Sequence, residues 1–178
     1  GFAASTYMRG IDYVQVPTTL LSMIDSSVGG KTAVDLPSGK NLVGTFYQPK
    51  MVIIDTDVLN TLPCTEYKNG MGEGIKYALL DGEPLLSLVN KGIRCSCANE
   101  IGTFIKLCVT SKKNIVEKDE KESNLRRLLN LGHTFAHSIE KLSGYTIPHG
   151  ICVAQGMRII AAISNNKALI PCCFKSSA

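Results

Sequence analysis

The sequence predicts an α/β protein in two parts: the back half of a Rossmann-like nucleotide-binding domain over residues 1–62, then an all-helical domain over 63–178. Short apolar strands alternating with glycine- and proline-rich turns predict the first part, together with one continuous apolar run closed by an acidic residue. A change to helical periodicity after Pro63 predicts the second part. We expect the two parts to meet near Leu62 and Pro63.

In the first part, residues 13–16 predict a strand that ends at Pro17, and residues 51–55 predict a parallel strand buried on both faces. Ligand groups are expected at the carboxyl end of that second strand. Residues 18–24 predict a helical turn. The segment 25–41, DSSVGGKTAVDLPSGKN, predicts a loop because it is polar and rich in glycine.

In the second part, four stretches have helical periodicity. They cover residues 65–80, about 98–117, about 123–142 and 149 to about 169. Ser123 is a plausible N-cap for the third helix, because its hydroxyl oxygen can accept a hydrogen bond from the first turn.

Composition excludes several classes of function. Apolar residues make up 44% of the 178, which is enough to bury a core. The net charge of +4 comes without a long Lys/Arg block and without tryptophan, so we expect no nucleic-acid partner and favour a local basic pocket for a small anion. No apolar run approaches the roughly 20 residues that cross a bilayer, so no membrane partner is expected.

The seven cysteines are odd in number and irregularly spaced, which favours reduced thiols and a cytoplasmic protein. Cys95 with Cys97 and Cys172 with Cys173 lack the matching second pair of a structural zinc site. The chain opens inside an apparent helix without an initiating methionine and closes on PCCFKSSA, so we expect a fragment of a longer protein.

The glycine-rich segment SVGGKT ends like a phosphate-binding P-loop, but that motif requires glycine where Asp25 stands. Asp25 would also repel a triphosphate. The glycine pair still permits a tight turn that presents Asp25, Lys31, Lys40 and Asn41 to one pocket. A solvated loop with scattered charges is the alternative.

Glu73 and Lys76 lie three residues apart in GMGEGIK and share a helix face. A surface ion pair is one interpretation. Three glycines are costly inside a helix, however, and close approach of backbone or ligand would explain them.

All three histidines fall within residues 130–149. Asn130, His133 and His137 have the spacing of one helical stripe, and Arg126 lies one turn earlier on the same side. His149 follows a proline and can fold back towards His133. Two histidines with Glu73 and one open coordination place would form a catalytic zinc set, although a purely structural polar cluster is equally consistent with the spacing. A zinc-protease pair of His133 and His137 lacks the glutamate that such a motif needs.

These residues lie in a series of motifs along the chain: GFAASTYMRG, VPTTLLSMIDSSVGGKTAVDLPSGKN, FYQP, IDTDVLNTLP, GMGEGIKY, LLNLGHTFAHSIE and HGICVAQGM. The motifs resemble those of the 3-dehydroquinate synthases of the sugar-phosphate cyclase family. The resemblance is collinear over about residues 1–170, and its most specific parts are DSSVGGKT with GKN, and GHT-x-x-H followed by HG.

The resemblance implies a lyase of the shikimate pathway that converts 3-deoxy-D-arabino-heptulosonate 7-phosphate into 3-dehydroquinate and phosphate. It implies NAD, Zn²⁺ or Co²⁺, and a homodimer. The cofactor would carry the hydride while the protein orients it.

The resemblance also implies a role for individual residues. Glu73, His133 and His149 would bind the metal, and His137 would handle a hydroxyl proton and contact phosphate. The other implied positions are Lys112 and Arg126 for the substrate carboxylate; Asp25, Lys31, Lys76 and Asn130 for the substrate pocket; Lys40 and Asn41 between substrate and cofactor; Arg9 for the neighbouring subunit's phosphate site; and Thr18, Thr19, Thr61 and Leu62 for the nucleotide.

The chain departs from the family pattern in four ways. The glycine-rich nucleotide segment that precedes GFAAS in the family, and most of the C-terminal helical domain, are not in these 178 residues. Gly72 replaces the usual alanine before the metal glutamate, and Ile151 replaces a glutamate after His-Gly. A related inosose-type synthase and an inactive metal-binding fragment are the alternatives, of which the first is disfavoured because Lys112 and Arg126 suit a carboxylate.

Overall fold

The computed structural model describes residues 1–93 and 98–164. In this part of the chain a small amount of β-structure precedes a group of longer helices. The first part contains α1 (Phe2–Thr6), a short 3-10 helix (Tyr7–Arg9), β1 (Val14–Gln15), a π-helical turn (Ser22–Ser26), β2 (Val34–Leu36), β3 (Gly39–Val43), β4 (Met51–Val52) and a 3-10 helix (Thr56–Thr61). The helical part contains α2 (Cys64–Asp81), α3 (Leu85–Lys91), α4 (Ala98–Lys118), a 3-10 helix (Leu125–Asn130), α5 (His133–Leu142) and α6 (His149–Ile163).

The predicted parallel pair is present, but its strands are shorter than expected. β1 and β4 run parallel with Val14 opposite Met51 and Gln15 opposite Val52. The prediction that residues 51–55 are buried on both faces is wrong, because Met51 is 57% exposed and Ile53 48% exposed. Burial of a strand depends on what covers it, and in the described ranges each of these strands has one neighbour in its sheet.

The segment predicted as a loop contains a β-hairpin. β2 and β3 pair antiparallel, with Val34 opposite Val43 and Leu36 opposite Gly39. The loop prediction over 25–41 is therefore wrong for its second half. The hairpin is largely exposed, so polar side chains are tolerated on both of its faces and apolar alternation is weak.

The helices α2 and α4 lie where they were predicted, whereas the single helix predicted over 123–142 is wrong. The chain forms the 3-10 helix Leu125–Asn130, breaks at Gly132, and restarts as α5. Gly132 has φ +82°, a left-handed conformation that ends a helix. Ser123 is not an N-cap, because its N–H and its hydroxyl both donate to the Asp119 carboxylate.

Helix α2 lies at the centre of the helical part and packs against α3, α4, α6 and the π-helical turn. Its backbone touches that of α6: a Cβ on Gly72 would lie 2.0 Å from the carbonyl oxygen of Gly150. This confirms the expected close approach at the glycines of α2. It also gives a physical reason for glycine rather than alanine at position 72 in this chain.

The core is formed mainly by residues of the π-helical turn, α2, α4 and α6. Its largest fully buried apolar side chains include Leu20, Met23, Ile24, Tyr77 and Phe104. The turn that contains Asp25 is thereby fixed against α2 and α4.

Within the described ranges, no helix combines the length and the apolar character needed to cross a membrane. The described cysteines Cys64, Cys108 and Cys152 are free thiols. The two predicted cysteine pairs, the end of the last predicted helix and the closing PCCFKSSA lie outside the described residues.

Candidate metal centre

Three potential metal ligands converge from three helices. Glu73 lies in the middle of α2, while His133 and His149 are the first residues of α5 and α6. The Nε2 atoms of His149 and His133 lie 3.1 and 3.5 Å from the Glu73 Oε1. One ligand atom from each of the three residues lies within 4.8 Å of the others.

Local backbone features bring the two histidines to Glu73. Gly132, in the left-handed conformation, interrupts the helical backbone, so that α5 starts at His133, and Pro148 precedes α6. The backbone N–H of Gly150 donates to the Asn69 Oδ1 at 2.7 Å. Because Asn69 lies one turn before Glu73 on α2, this bond fixes the start of α6 beside the carboxylate.

Each histidine ring has a partner for its second nitrogen. The Nδ1 of His133 lies 3.2 Å from the carbonyl oxygen of Leu131, and the Nδ1 of His149 lies 3.0 Å from the Glu140 Oε1. With a cation bound beside Glu73, Nδ1–H would donate in both rings and leave the two Nε2 lone pairs free to bind the cation. One carboxylate and two imidazole nitrogens fit a divalent cation such as Zn²⁺, with coordination places left for a ligand.

The Glu73 carboxylate is 1% exposed, and its Oε2 lies 2.5 Å from the Lys76 Nζ. Burial raises the pKa of Glu73, but hydrogen bonds with His133 and His149 and the charge of Lys76 together hold that pKa well below its usual value. The contact with Glu73 raises the pKa of His149. Glu73 is therefore an ionised ligand group, and its contact with Lys76 is a buried ion pair rather than a surface one.

Charges of alternating sign continue from Glu73 into the interior. The Lys76 Nζ also lies 3.5 Å from the Asp25 Oδ1, and the Lys112 Nζ lies 3.1 Å from the same oxygen. Lys112 in addition donates to the Asp25 carbonyl oxygen at 2.7 Å, and the Tyr77 hydroxyl donates to the Asp25 Oδ1. We call Glu73, Lys76, Asp25 and Lys112 the charge string.

Within the charge string, burial and the neighbouring charges shift the pKa values of Asp25, Lys76 and Lys112. Burial raises the pKa of Asp25, but Lys112 and Lys76 outweigh it and lower that pKa to about 2. Burial lowers the pKa of Lys76, but Asp25 and Glu73 outweigh it and raise that pKa. For Lys112, burial prevails and its pKa is lowered.

Arg126 does not share the stripe of the histidines, and that prediction is wrong. Its side chain is 1% exposed, and its two Nη atoms donate to the carbonyl oxygens of Gly29, at 2.8 Å, and Glu120. The break at Gly132 rotates the 3-10 helix relative to α5, so Arg126 points at the glycine-rich turn. The backbone N–H of Arg126 donates to the Asp119 Oδ2 at 3.0 Å, which fixes the loop before it.

An open cleft of about 620 Å³ lies beside His133 and His137. Asn130 does not continue the α5 stripe, but its Nδ2 donates to the Glu122 Oε1 at 2.9 Å, and Lys31 forms an ion pair with the same carboxylate. The residues that line the cleft are Lys31, Lys121, Glu122, Arg127, Asn130, His133, Thr134 and His137.

His137 is exposed one turn after His133, with ring centroids 5.7 Å apart. Partial burial and the neighbouring His133 lower its pKa, so the imidazole is neutral near pH 7.

Lys31 and Asn41 also line a second pocket of about 400 Å³ beneath the hairpin. The four residues expected in one pocket are thus divided: Asp25 is in the charge string and Lys40 reaches Glu140.

The predicted nucleotide residues follow the two parallel strands. Thr18 and Thr19 come after β1, while Thr61 and Leu62 end the 3-10 helix after β4.

Arg9, which was predicted to reach a neighbouring subunit, is exposed after α1 and has a positive φ of 67°. No ion pair connects it to another described residue.

Sequence reasoning did not single out Glu140, Glu122 or Tyr77. A signal for Glu140 was available, because it lies seven residues after His133 and three after His137, on the face of α5 that those histidines share. No local pattern identifies Glu122, whose partners Lys31 and Asn130 are brought to it by the tertiary fold.

The sequence was also compared with those of known protein families. The sequence profile of the 3-dehydroquinate synthase N-terminal region matches residues 1–69, and the profile of the C-terminal region matches residues 70–173. The chain belongs to the 3-dehydroquinate synthase family. That membership covers both the α/β part and the helical part.

Curated relatives agree with the family assignment. The chain is 51% identical over 170 residues to the 3-dehydroquinate synthase of Microcystis aeruginosa, covering 92% of this chain and 46% of the relative. It is 48% identical over 191 residues to that of Prochlorococcus marinus, covering 95% and 48%. The chain therefore spans about half the length of the curated relatives it matches.

Two solved structures share the fold. A 2-deoxy-scyllo-inosose synthase complexed with carbaglucose-6-phosphate, NAD⁺ and Co²⁺ has a TM-score of 0.85 at 35% identity, covering 92% of this chain and 46% of that one. The 2-epi-5-epi-valiolone synthase from Streptomyces hygroscopicus, with NAD⁺ and Zn²⁺ bound, has a TM-score of 0.85 at 31% identity, covering 93% and 48%.

Proposed function

We propose that this chain carries the metal and substrate residues of a 3-dehydroquinate synthase, which converts 3-deoxy-D-arabino-heptulosonate 7-phosphate into 3-dehydroquinate and phosphate. The observation that carries the proposal is the convergence of Glu73, His133 and His149 beside an open cleft. Family membership and identities near 50% to curated 3-dehydroquinate synthases support the substrate.

Glu73, His133 and His149 would hold Zn²⁺ or Co²⁺, and the solved relatives that contain these ions support that choice. A divalent ion at this position supplies Lewis-acid polarisation of substrate hydroxyl groups. The protein keeps its ligand set ready through the low pKa of Glu73 and the Nδ1 contacts of both rings.

NAD would be held in part by Thr18, Thr19, Thr61 and Leu62, and it supplies reversible hydride acceptance. The positions of these residues after β1 and β4 support the assignment, because ligands of open α/β sheets bind beyond the carboxyl ends of the strands. Lys40 and Asn41 on β3, with Asp25 and Lys31, are proposed to lie between nucleotide and substrate.

His137 is proposed to accept and return the proton of a substrate hydroxyl at one of its ring nitrogens. Its lowered pKa and its exposure to the cleft support this role. Lys31 and Asn130, joined through Glu122, are proposed to bind polar substrate groups from the same cleft.

Lys112 and Arg126 are proposed to hold the substrate carboxylate, and Lys76 to contact the substrate near the metal. In this structure the ammonium of Lys112 engages Asp25, and the Nη atoms of Arg126 engage backbone carbonyl groups. Binding of a carboxylate would therefore add to, or exchange with, these internal contacts.

A homodimer is proposed on the basis of Arg9, which would reach the phosphate site of a second subunit. Its exposure, next to Tyr7 and Met8 at 63% and 75% exposed, supports an outward role. Analytical ultracentrifugation of the full-length protein tests this: a monomer at micromolar concentration would contradict it.

The decisive assay measures phosphate release from the heptulosonate by the full-length protein with NAD and Zn²⁺. We expect release in the wild type, loss in H137A and wild-type rates in E117Q, whose carboxylate is exposed on α4. Absence of phosphate while zinc is bound would contradict the proposed function.

Product analysis separates the related inosose-type synthases. We expect turnover of the carboxylate-bearing heptulosonate and none of a hexose 6-phosphate. Zinc binding without NAD binding or turnover would instead indicate a non-catalytic metal-binding protein.

A further inference from the structure

The two histidines of the proposed metal site are oriented by different kinds of partner. The Nδ1 of His133 faces a backbone carbonyl, that of Leu131, at 3.2 Å. The Nδ1 of His149 faces a side chain, the Glu140 Oε1, at 3.0 Å. The second partner can therefore be removed by substitution, whereas the first cannot.

Glu140 is 3% exposed at the inner face of α5. Its Oε1 accepts from His149 and also from the Lys40 Nζ at 3.3 Å. Lys40 belongs to β3, and its ammonium lies 4.4 Å from the centroid of the Tyr145 ring. A buried carboxylate is costly without partners, so its two partners account for its presence here.

We propose that Glu140 is a positioning residue that holds His149 with its Nε2 towards Glu73 and, through the shared Oε1, ties the β2–β3 hairpin to the metal centre. The inference rests on the proposed function, because it assumes that His149 binds a metal. A carboxylate that accepts the Nδ1–H fixes the tautomer and the ring angle of the histidine. Loss of such a partner weakens metal binding by about 10- to 100-fold.

The test measures the zinc dissociation constant of the full-length protein by competition with a chromophoric chelator. We expect E140A to bind zinc about 10- to 100-fold more weakly than the wild type. E140Q keeps an acceptor oxygen for the Nδ1–H, so its loss is expected to be smaller. E117Q on α4 removes an exposed carboxylate of equal size and serves as the matched control.

A spectroscopic reading separates positioning from general stability. In the Co²⁺-loaded protein we expect the visible absorption bands of E140A to differ from those of the wild type and E117Q, because the ring of His149 is no longer held. K40M is expected to weaken zinc binding less than E140A does, and to add nothing in the E140A background.

The positioning role is overturned if folded E140A binds zinc as tightly as E117Q with an unchanged cobalt spectrum. Should E140A fail to fold, E140Q decides by the same two readings, and wild-type values for both overturn the role. If the wild type binds neither zinc nor cobalt, the proposed metal centre itself fails, and the positioning role fails with it.

Discussion

The charge string and the β2–β3 hairpin both carry residues that we propose for the substrate site, but the two regions hold them differently. In the charge string, Lys76 and Lys112 are buried and each contacts more than one acceptor. Next to and within the hairpin, Lys31 and Lys40 are half-exposed, with side-chain exposures of 50% and 41%, and each has one carboxylate partner.

This difference separates stability from ligand binding. Breaking a buried ion pair leaves an uncompensated charge, which costs about 3–5 kcal/mol, whereas an exposed pair contributes about 0–1 kcal/mol. The contacts of the charge string are therefore costly to break and contribute to stability, whereas Lys31 and Lys40 can change partners at small cost when a ligand enters.

The largest expected effect concerns the metal ligands of the helical region. H133A should lower zinc affinity by more than about 100-fold, because even an outer partner of a ligand is worth about 10- to 100-fold. H137A, one turn later on α5, is the matched control and should leave zinc affinity near that of the wild type. Calorimetric titration with Zn²⁺ measures both; equal losses would place His137 among the ligands.

A second prediction tests the charge string directly. D25N leaves Lys76 and Lys112 without their shared carboxylate and should lower the free energy of unfolding by about 3 kcal/mol. D35N removes an exposed carboxylate of the hairpin that accepts the Asn41 N–H, and should cost less than about 1 kcal/mol. Urea unfolding measures both, and similar losses would abolish the distinction between the regions.

The same carboxylate predicts acid sensitivity. The pKa of Asp25 falls from 3.8 to about 2 in the fold, so its stabilising contribution is present above about pH 3.8 and is lost as the pH falls towards 2. Stability measured across this range should decline less steeply in D25N than in the wild type. Parallel curves would show that Asp25 is not the group responsible.

A fourth prediction concerns the close contact that fixes α6. In G150A the new Cβ would lie 1.8 Å from the Asn69 carbonyl oxygen, so the helices must separate at a cost of about 1–3 kcal/mol. G102A on α4 is the control, because its Cβ meets nothing within 4 Å and should stabilise the helix by about 0.5–1 kcal/mol. Thermal unfolding followed by circular dichroism gives both values.

The smallest effect on stability is expected beside the hairpin. K31M removes a half-exposed pair with Glu122 and should change the free energy of unfolding by less than about 1 kcal/mol. Phosphate release should nevertheless fall by about 100-fold, since a charge facing the cleft is lost. K113M on α4 is the control; equal activity of the two variants would remove Lys31 from the substrate site.

The convergence of Glu73, His133 and His149 was predictable because few residues of the right chemistry exist in the chain. Three histidines in one short stretch and one glutamate among helical glycines make a small set of candidate ligands. The long helices were also predictable, because their apolar periodicity is local. The features that sequence patterns did not predict depend on contacts between distant segments.

The wrong predictions share one cause, because each falls where contacts between distant segments decide the structure. The run LLNLGHT continues an apolar helical pattern, but Gly132 adopts a left-handed φ against Val153 and Met157 of α6, and the helix breaks there. Arg126 consequently turns away from the histidines. In the same way, the burial of residues 51–55 depends on the elements that pack against the strand rather than on the apolar character of its own side chains.

The starting points of α5 and α6 have an electrostatic consequence. Because both helices begin at a histidine of the metal site, the positive ends of two backbone dipoles meet there. Each end is equivalent to about half an elementary charge, so the peptide groups together contribute about one positive charge that no side chain carries. This positive potential stabilises the negative charge of the buried Glu73 carboxylate, whose Oε1 lies 3.1 Å from the His149 Nε2 at the start of α6.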